Sequence, residues 1–157
     1  MTDGGSSIAE VRALLRVLAA GRDVAELGAA FGEGAAALAE TARSVVTVES
    51  DAGRAAIARE RLAGLANVEL LEGDCYESLR GRGPFGLVFA DGGRPLDWEA
   101  ILALLEPGGL LVKDDLTPGR PVDGDPVREF LLRDPRLAAV ELLTTPATAA
   151  IVAAKRS

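Results

Sequence analysis

Ile8, Val11, Leu14, Leu15 and Leu18 recur at the three- and four-residue spacing of one helix face, which predicts an amphipathic helix over residues 8–20, ended by Gly21. Beyond it, apolar runs and helical stretches alternate. Residues 24–27 read as a short strand, 32–42 as a helix, and the β-branched run 44–48 as a buried strand. A helix follows over 51–62, with Ser50 or Asp51 at its cap, then a strand at 68–71, a short helix at 75–79 and a strand at 86–90. Downstream come a helix from Trp98 to about Leu105, stopped by Pro107-Gly108-Gly109, a strand at 110–113 and a helix at 126–132. Strands at 138–143 and 149–153 close the chain; the short link 144–148 makes them an antiparallel hairpin at one sheet edge. Strict strand–helix alternation requires crossover connections, so the expected fold class is α/β. It is a Rossmann-like, seven-stranded, mostly parallel sheet with an antiparallel C-terminal strand and helices on both faces. We read one domain over 1–157, with an N-terminal helix in 1–21 and the core in 22–157.

Composition narrows the chemistry. Seventeen basic against 24 acidic side chains give a net charge of −7, which disfavours phosphate-backbone binding, so no nucleic-acid partner is expected. The single cysteine, Cys75, excludes a disulfide framework. The absence of histidine excludes the usual zinc sites and every histidine-based triad. No apolar run approaches the roughly 20 residues that cross a bilayer, and the opening Met-Thr-Asp-Gly-Gly-Ser-Ser has no leader pattern; a cytoplasmic protein without membrane contact is expected. Carboxylates must carry the chemistry, and a cationic ligand or a metal suits them. Lys113 and Lys155 are the only lysines.

In doubly wound sheets, ligands bind beyond the carboxyl ends of the strands where strand order reverses. Five consecutive predicted strands end there in glycine or a carboxylate: Gly28, then Glu49, Asp74, Asp91, and the pair Asp114-Asp115. Each alone could cap a helix or open a turn; together they predict a shared acidic site. The first loop, Glu26-Leu27-Gly28-Ala29-Ala30-Phe31-Gly32-Glu33-Gly34, lacks the second glycine of a dinucleotide fingerprint, because Ala30 stands there, and Glu33 would repel a phosphate. A glycine turn without phosphate points to an uncharged or positive ligand such as S-adenosylmethionine. Glu49 follows Gly28 by 21 positions, the spacing of a ribose-binding carboxylate.

Five pieces carry a resemblance over residues 24–155: Val24-Ala25-Glu26-Leu27-Gly28, Thr47-Val48-Glu49-Ser50-Asp51, Leu71-Glu72-Gly73-Asp74-Cys75, Phe85-Gly86-Leu87-Val88-Phe89-Ala90-Asp91, and the run from Leu105 through Glu106-Pro107-Gly108-Gly109 to Lys113-Asp114-Asp115. In order and spacing the chain resembles the class I S-adenosylmethionine-dependent methyltransferases, and within them the catechol and caffeoyl-CoA type O-methyltransferases. The resemblance implies cofactor contacts from Glu26, the Gly28 to Gly32 loop, Glu49 with Ser50, Asp74 with Cys75, and Asp91. It also implies Mg²⁺ or Mn²⁺ on Asp91, Asp114 and Asp115, an oxygen-only set that suits a hard cation. The competing reading makes Asp114-Asp115 a cap of the turn at 116–120.

The chain departs from that family at three points. Asp115 replaces the usual asparagine. Arg94 stands where a lysine base is expected; it keeps its proton and cannot be that base, but it could hold an anionic acceptor, and Asp91 with Arg94 are the candidate catalytic residues. About 22 residues precede the first strand, where relatives carry further helices that cover the site and pair subunits, so a more open site is expected and a homodimer stays an option. The expected activity is S-adenosylmethionine-dependent methyl transfer to oxygen of a small molecule, metal-assisted if the acidic trio binds a cation. The alternative is a methyltransferase-like module that binds the cofactor without catalysis and acts through a protein partner. Trp98 and Phe31 are candidates to line the acceptor pocket, although a lone tryptophan on a helix more often belongs to the core.

Overall fold

Each predicted segment forms the element expected of it in the computed structural model, which describes residues 7–91 and 96–157. In chain order these are α1 (Ala9–Ala19), β1 (Asp23–Leu27), α2 (Glu33–Ala39), β2 (Ser44–Glu49), α3 (Ala52–Leu62), β3 (Val68–Glu72) and α4 (Cys75–Leu79). They continue with β4 (Phe85–Ala90), α5 (Trp98–Leu104), β5 (Leu105–Leu116), α6 (Pro126–Arg133), β6 (Leu137–Thr145) and β7 (Thr148–Lys155). The strands form one sheet in the order β3-β2-β1-β4-β5-β7-β6. β7 lies between β5 and β6 and runs antiparallel to both, so the C-terminal hairpin occupies the edge as expected, with its second strand inside.

Alternating side chains divide between two cores, as the period of a strand requires. Val24, Leu87 and Val112 face Val11, Leu15 and Ala19 of α1, Ala35 and Leu38 of α2, and Ala58 and Leu62 of α3. Their neighbours Ala25, Val88 and Leu111 face Leu79 of α4, Ile101 and Leu102 of α5, and Leu131 of α6. The first helix turns its predicted stripe to the sheet: Val11 and Leu15 are buried, Ile8, Leu14 and Leu18 are half-buried, Ala19 joins them, and Val17 stays exposed.

Two boundaries differ from expectation. Helix α2 begins after Gly32, not at it, because Gly32 is left-handed (φ 85°) and cannot continue a helix; the helix ends at Ala39, and residues 40–42 turn toward β2. Strand β5 is far longer than 110–113. It starts at Leu105 and runs through Pro107-Gly108-Gly109 as a wide bulge, since β4 advances from Phe85 to Leu87 while β5 advances from Leu105 to Leu110. Gly109 is required there, because a Cβ would lie 2.8 Å from the Glu106 carbonyl oxygen and 3.0 Å from that of Phe85. Lys155 closes α5, its Nζ donating to the carbonyls of Leu102 and Leu105, both at 2.8 Å.

The chain leaves β1 for β2 and β3, then crosses back to β4 on the other side of β1. That reversal opens a crevice above the carboxyl ends of β1 and β4, and it places Gly28 and Asp91 on its two walls.

Candidate functional site

Glu26 occupies a fully buried position in the central strand, opposite Thr47 of β2 and Phe89 of β4. It is 1% exposed. Thr47 Oγ1 donates to its Oε2 at 2.5 Å, while Oε1 has no hydrogen-bond partner among the described residues. That oxygen abuts the backbone of Gly34 so closely that a Cβ at Gly34 would collide with it, which explains the glycine in the first turn of α2. Burial above all pushes the Glu26 carboxyl up to about 8; the bond from Thr47 opposes this, and the charges of Asp91, Asp114 and Glu49 add to it.

The turn after β1 is held from β2. Gly28 (φ 94°) and Ala29 donate their amides to the Val48 carbonyl at 3.0 and 2.9 Å, and Ala30 is left-handed (φ 47°). Glu49, 3% exposed, accepts from the Ala30 amide at 2.8 Å and the Asp51 amide at 2.9 Å, and Arg54 lies 3.2 Å from its Oε1. Each carboxylate oxygen keeps acceptor capacity beyond these bonds. Gly32 has a packing role: a Cβ there would sit 3.3 Å from Ala58 Cα and Leu62 Cγ of α3. Glu33 is ion-paired with Arg61 at 2.8 Å and Arg12 at 3.6 Å.

Other predicted residues separate in role. The Ser50 side chain is exposed. Asp74 caps α4, accepting from the Glu77 amide at 2.9 Å. Cys75 is buried with its thiol against the Gly28 amide, and burial pushes it up to about 11, which keeps it protonated beneath the glycine turn. Trp98 is half-buried and stacks on Phe130 of α6, ring centroids 4.8 Å apart, as a core residue does. Arg94 lies outside the described residues.

Asp91 and Asp114 meet between the neighbouring strands β4 and β5, on one side of the crevice, where their carboxyl groups are hydrogen-bonded to each other. Asp91 rises to about 7, first from burial and then from the Asp114 charge, while Lys113 pulls it down; Asp114 is raised by burial as well. Asp114 is 4% exposed, and its Oδ1 has no hydrogen-bond partner among the described residues. Asp115 does not join them. β5 pairs Lys113 with Ile151 and next Leu116 with Ala149, one residue more on β5 than on β7. The extra residue makes a bulge, with Asp115 left-handed (φ 58°) and exposed. The acidic pair is thus inside β5, not after it, and Asp114 is buried in the site instead of capping a turn. Of the expected metal set, Asp91 and Asp114 lie together and Asp115 stands apart from them on the exposed side; among the described residues no group of three acidic or thiol side chains is gathered closely enough to hold a metal ion.

Beyond β5, Arg128 is 1% exposed and ties the β5–α6 connection down. It donates to the Thr117 carbonyl at 2.7 Å, to Asp125 at 2.6 Å, and to both Glu141 oxygens at 2.7 and 2.8 Å. Thr47, Arg54, Lys113, Gly34 and Arg128 were not singled out from sequence. Only Arg54 carried a local signal, a cation one helical turn into α3 behind Glu49.

A seven-stranded sheet of this order, with a glycine turn after β1 and a buried carboxylate after β2 beside the reversal point, is the class I S-adenosylmethionine-dependent methyltransferase fold. No family profile matches the chain. It is 36% identical over 118 residues to a protein-L-isoaspartate O-methyltransferase of Rhodopseudomonas palustris (strain BisB5), an alignment that covers 74% of this chain and 51% of that protein. The chain spans about half the length of the curated relatives it matches, or less. Among solved structures, the O-methyltransferase TomG of Streptomyces achromogenes, involved in tomaymycin synthesis and solved with S-adenosylmethionine, superposes with a TM-score of 0.80. Identity is 25%, with 100% of this chain and 84% of TomG covered. An O-methyltransferase of Bacillus cereus in complex with S-adenosylhomocysteine has a TM-score of 0.76 at 23% identity, covering 98% of this chain and 84% of that one. No helix among the described residues is long and apolar enough to cross a membrane.

Proposed function

We propose that this chain is an S-adenosylmethionine-dependent O-methyltransferase acting on a small molecule. The observation that carries the reading is the Glu26 carboxylate: buried, with one oxygen unpartnered, directly beneath the glycine turn at the sheet's reversal point. A buried acceptor of that kind calls for a cationic donor. The cofactor's ammonium and sulfonium groups answer it, whereas a pyrophosphate offers Glu26 no donor. Glu49 has acceptor capacity left for two ribose hydroxyls, and the Gly28 turn lets the backbone come close. When bound, S-adenosylmethionine supplies a methyl group activated by its sulfonium.

The chain's own residues would hold the acceptor oxygen in line and keep water out, so orientation supplies much of the rate. The small-molecule acceptor is favoured over a protein because TomG, involved in tomaymycin synthesis, is matched over 84% of its length, against 51% for the isoaspartate enzyme. The net charge of −7 weighs against a nucleic-acid acceptor.

Calorimetry with S-adenosylhomocysteine tests the cofactor site. Micromolar affinity, about −8 kcal/mol, is expected. Glu49→Ala should weaken it about ten-fold or more, the worth of hydrogen bonds to a charged group. No uptake of S-adenosylhomocysteine by folded protein at millimolar concentration refutes the reading. Transfer to an isoaspartyl peptide, with none to small hydroxylated acceptors, refutes the acceptor class alone.

A further inference from the structure

The two edges of the sheet are built differently. β3 closes one edge with five residues, two of them glutamates, and both are ion-paired: Glu69 with Arg82 at 2.7 Å and Glu72 with Arg59 at 3.5 Å. Charged side chains on a short edge strand keep a foreign strand from adding to its free backbone groups. β6 closes the other edge with nine residues and lacks that guard. It pairs regularly with β7 from Leu137 to Leu143 and contains neither proline nor lysine. Its single charged residue, Glu141, is held by Arg128 at 2.7 Å. The exposed positions on β6 are Ala138, Ala139, Val140 and Leu143, all apolar.

Val140 and Leu143, 56% and 65% exposed, are two of the four large apolar side chains exposed among the described residues. They stand three positions apart, so they point to opposite faces of the sheet. Leu143 shares the face of Glu141, which bonds Arg128 of α6; Val140 shares that of its pair partner Val152, which packs with the α1–α3 core. A partner lying on either face would cover one of the two and leave the other in water. A strand added in the plane of the sheet, with its own layers above and below, covers both and takes up the free backbone groups as well. A second copy of this chain brings such a strand. Antiparallel pairing about a two-fold axis makes β6 its own complement. Charge agrees: copies of net charge −7 repel where carboxylates face each other, and the one carboxylate on this strand is already neutralised by Arg128.

We propose that the chain forms a homodimer by antiparallel pairing of β6 with β6 of a second copy, which joins two seven-stranded sheets into one. β5 and β7 stand between β6 and β4, so the crevice stays open in both copies.

Sedimentation velocity over a concentration series tests this with the full chain, for the wild type, Val140→Lys, Leu143→Lys and Ile57→Lys. One pair of edge strands buries little beside an obligate interface, so the wild type is expected to pass from monomer to dimer within roughly 1–100 µM. Val140→Lys and Leu143→Lys, one on each face, should each weaken the dimer by about ten-fold or more, because an edge lysine opposes pairing. Ile57→Lys, on α3 and 48% exposed, should leave it unchanged. Amide exchange over 138–144 should slow in the dimer, which a partner docked on one face would not cause. Circular dichroism checks that each variant is folded; should Val140→Lys fail, Val140→Ser takes its place under the same criteria. A wild type that stays monomeric well above that range, a dimer as sensitive to Ile57→Lys as to the β6 variants, or β6 amides that exchange equally fast in monomer and dimer overturns the proposal.

Discussion

Glu26→Gln separates what the buried carboxylate does for stability from what it does for binding. Glutamine keeps the shape and the acceptor that Thr47 Oγ1 uses, and its amide hydrogens stand where the neutral acid would place a proton, so only the ability to ionise is lost. The Glu26 carboxyl is pushed from its ordinary 4.5 up to about 8, which means the folded chain holds a proton that the unfolded chain releases between those values. Wherever the folded state binds more protons, stability falls as pH rises. The wild type should therefore lose stability from about pH 4.5 to pH 8 and level off above, at a rate of at most about 1.4 kcal/mol per pH unit. Water entering the crevice trims that ceiling, and roughly 2–4 kcal/mol of pH-dependent loss is expected. Glu26→Gln escapes this loss. At pH 5 the two proteins should melt together. At pH 9 the variant should melt about 4–16 °C higher, using about 2–4 °C per kcal/mol for a chain of this size. In the same variant S-adenosylhomocysteine affinity should drop by about ten-fold or more, because a charge-assisted bond is lost. The assay is a set of thermal melts at pH 5, 7 and 9, paired with calorimetry at pH 8. A melting difference that does not grow with pH refutes the argument.

Arg128→Met removes a guanidinium that joins Thr117, Asp125 and Glu141; because both acids are partly solvated, a loss of about 3 kcal/mol is expected by urea unfolding, at the lower end for a broken buried pair. Gly34→Ala drives a methyl group into Glu26 and should cost about 1–3 kcal/mol in stability while weakening S-adenosylhomocysteine binding, whereas Gly64→Ala, open around its Cβ, should do neither. Lys155→Met leaves the Leu102 and Leu105 carbonyls without a donor and should cost about 1–3 kcal/mol with cofactor affinity unchanged. Binding of S-adenosylhomocysteine should release protons at pH 7, seen as a binding enthalpy that depends on the buffer, because its ammonium favours the ionised form of Glu26; proton uptake would contradict this.

Elements dictated by local pattern were legible in the sequence. The Val45-Val46-Thr47-Val48 run could only be a buried strand, and the spacing of Val11 and Leu15 could only be one helix face. Glu49 was found by its distance from Gly28. What stayed hidden depends on pairing between distant strands. Nothing local shows that β5 runs through Pro107-Gly108-Gly109, because the bulge exists only where Leu105 and Leu110 register against β4. For the same reason Asp114 and Asp115 read as equivalent ligands, and one extra residue against β7 gives them opposite environments. The structural parts that Asp74 and Cys75 also play, a cap on α4 and a thiol packed under Gly28, were not legible either. Glu26 and Gly34 are eight positions apart, and their contact needs α2 folded back on β1.

The charges of the site support one account of why so costly an arrangement persists. Glu26, Asp91 and Asp114 are all raised, and in each burial is the leading cause, so the free chain favours neutral acids where the proposed cofactor and acceptor chemistry needs anions. Among the described residues, relief comes from the Thr47 hydroxyl on Glu26, from the Lys113 charge near both aspartates, and from the hydrogen bonds Asp114 takes from its own backbone amide and from Asp91. These are local and small, whereas the two packed cores on either side of the sheet are large. The sheet can therefore carry an unfavourable acidic edge because its stability is generated elsewhere, by α1–α3 on one face and α4–α6 on the other. A ligand that brings positive charge to Glu26 removes part of the burden on binding, so affinity and stability rise together when it enters. The division of labour follows from the sheet: apolar side chains along the strands hold the fold, and the residues at their carboxyl ends are left to do chemistry.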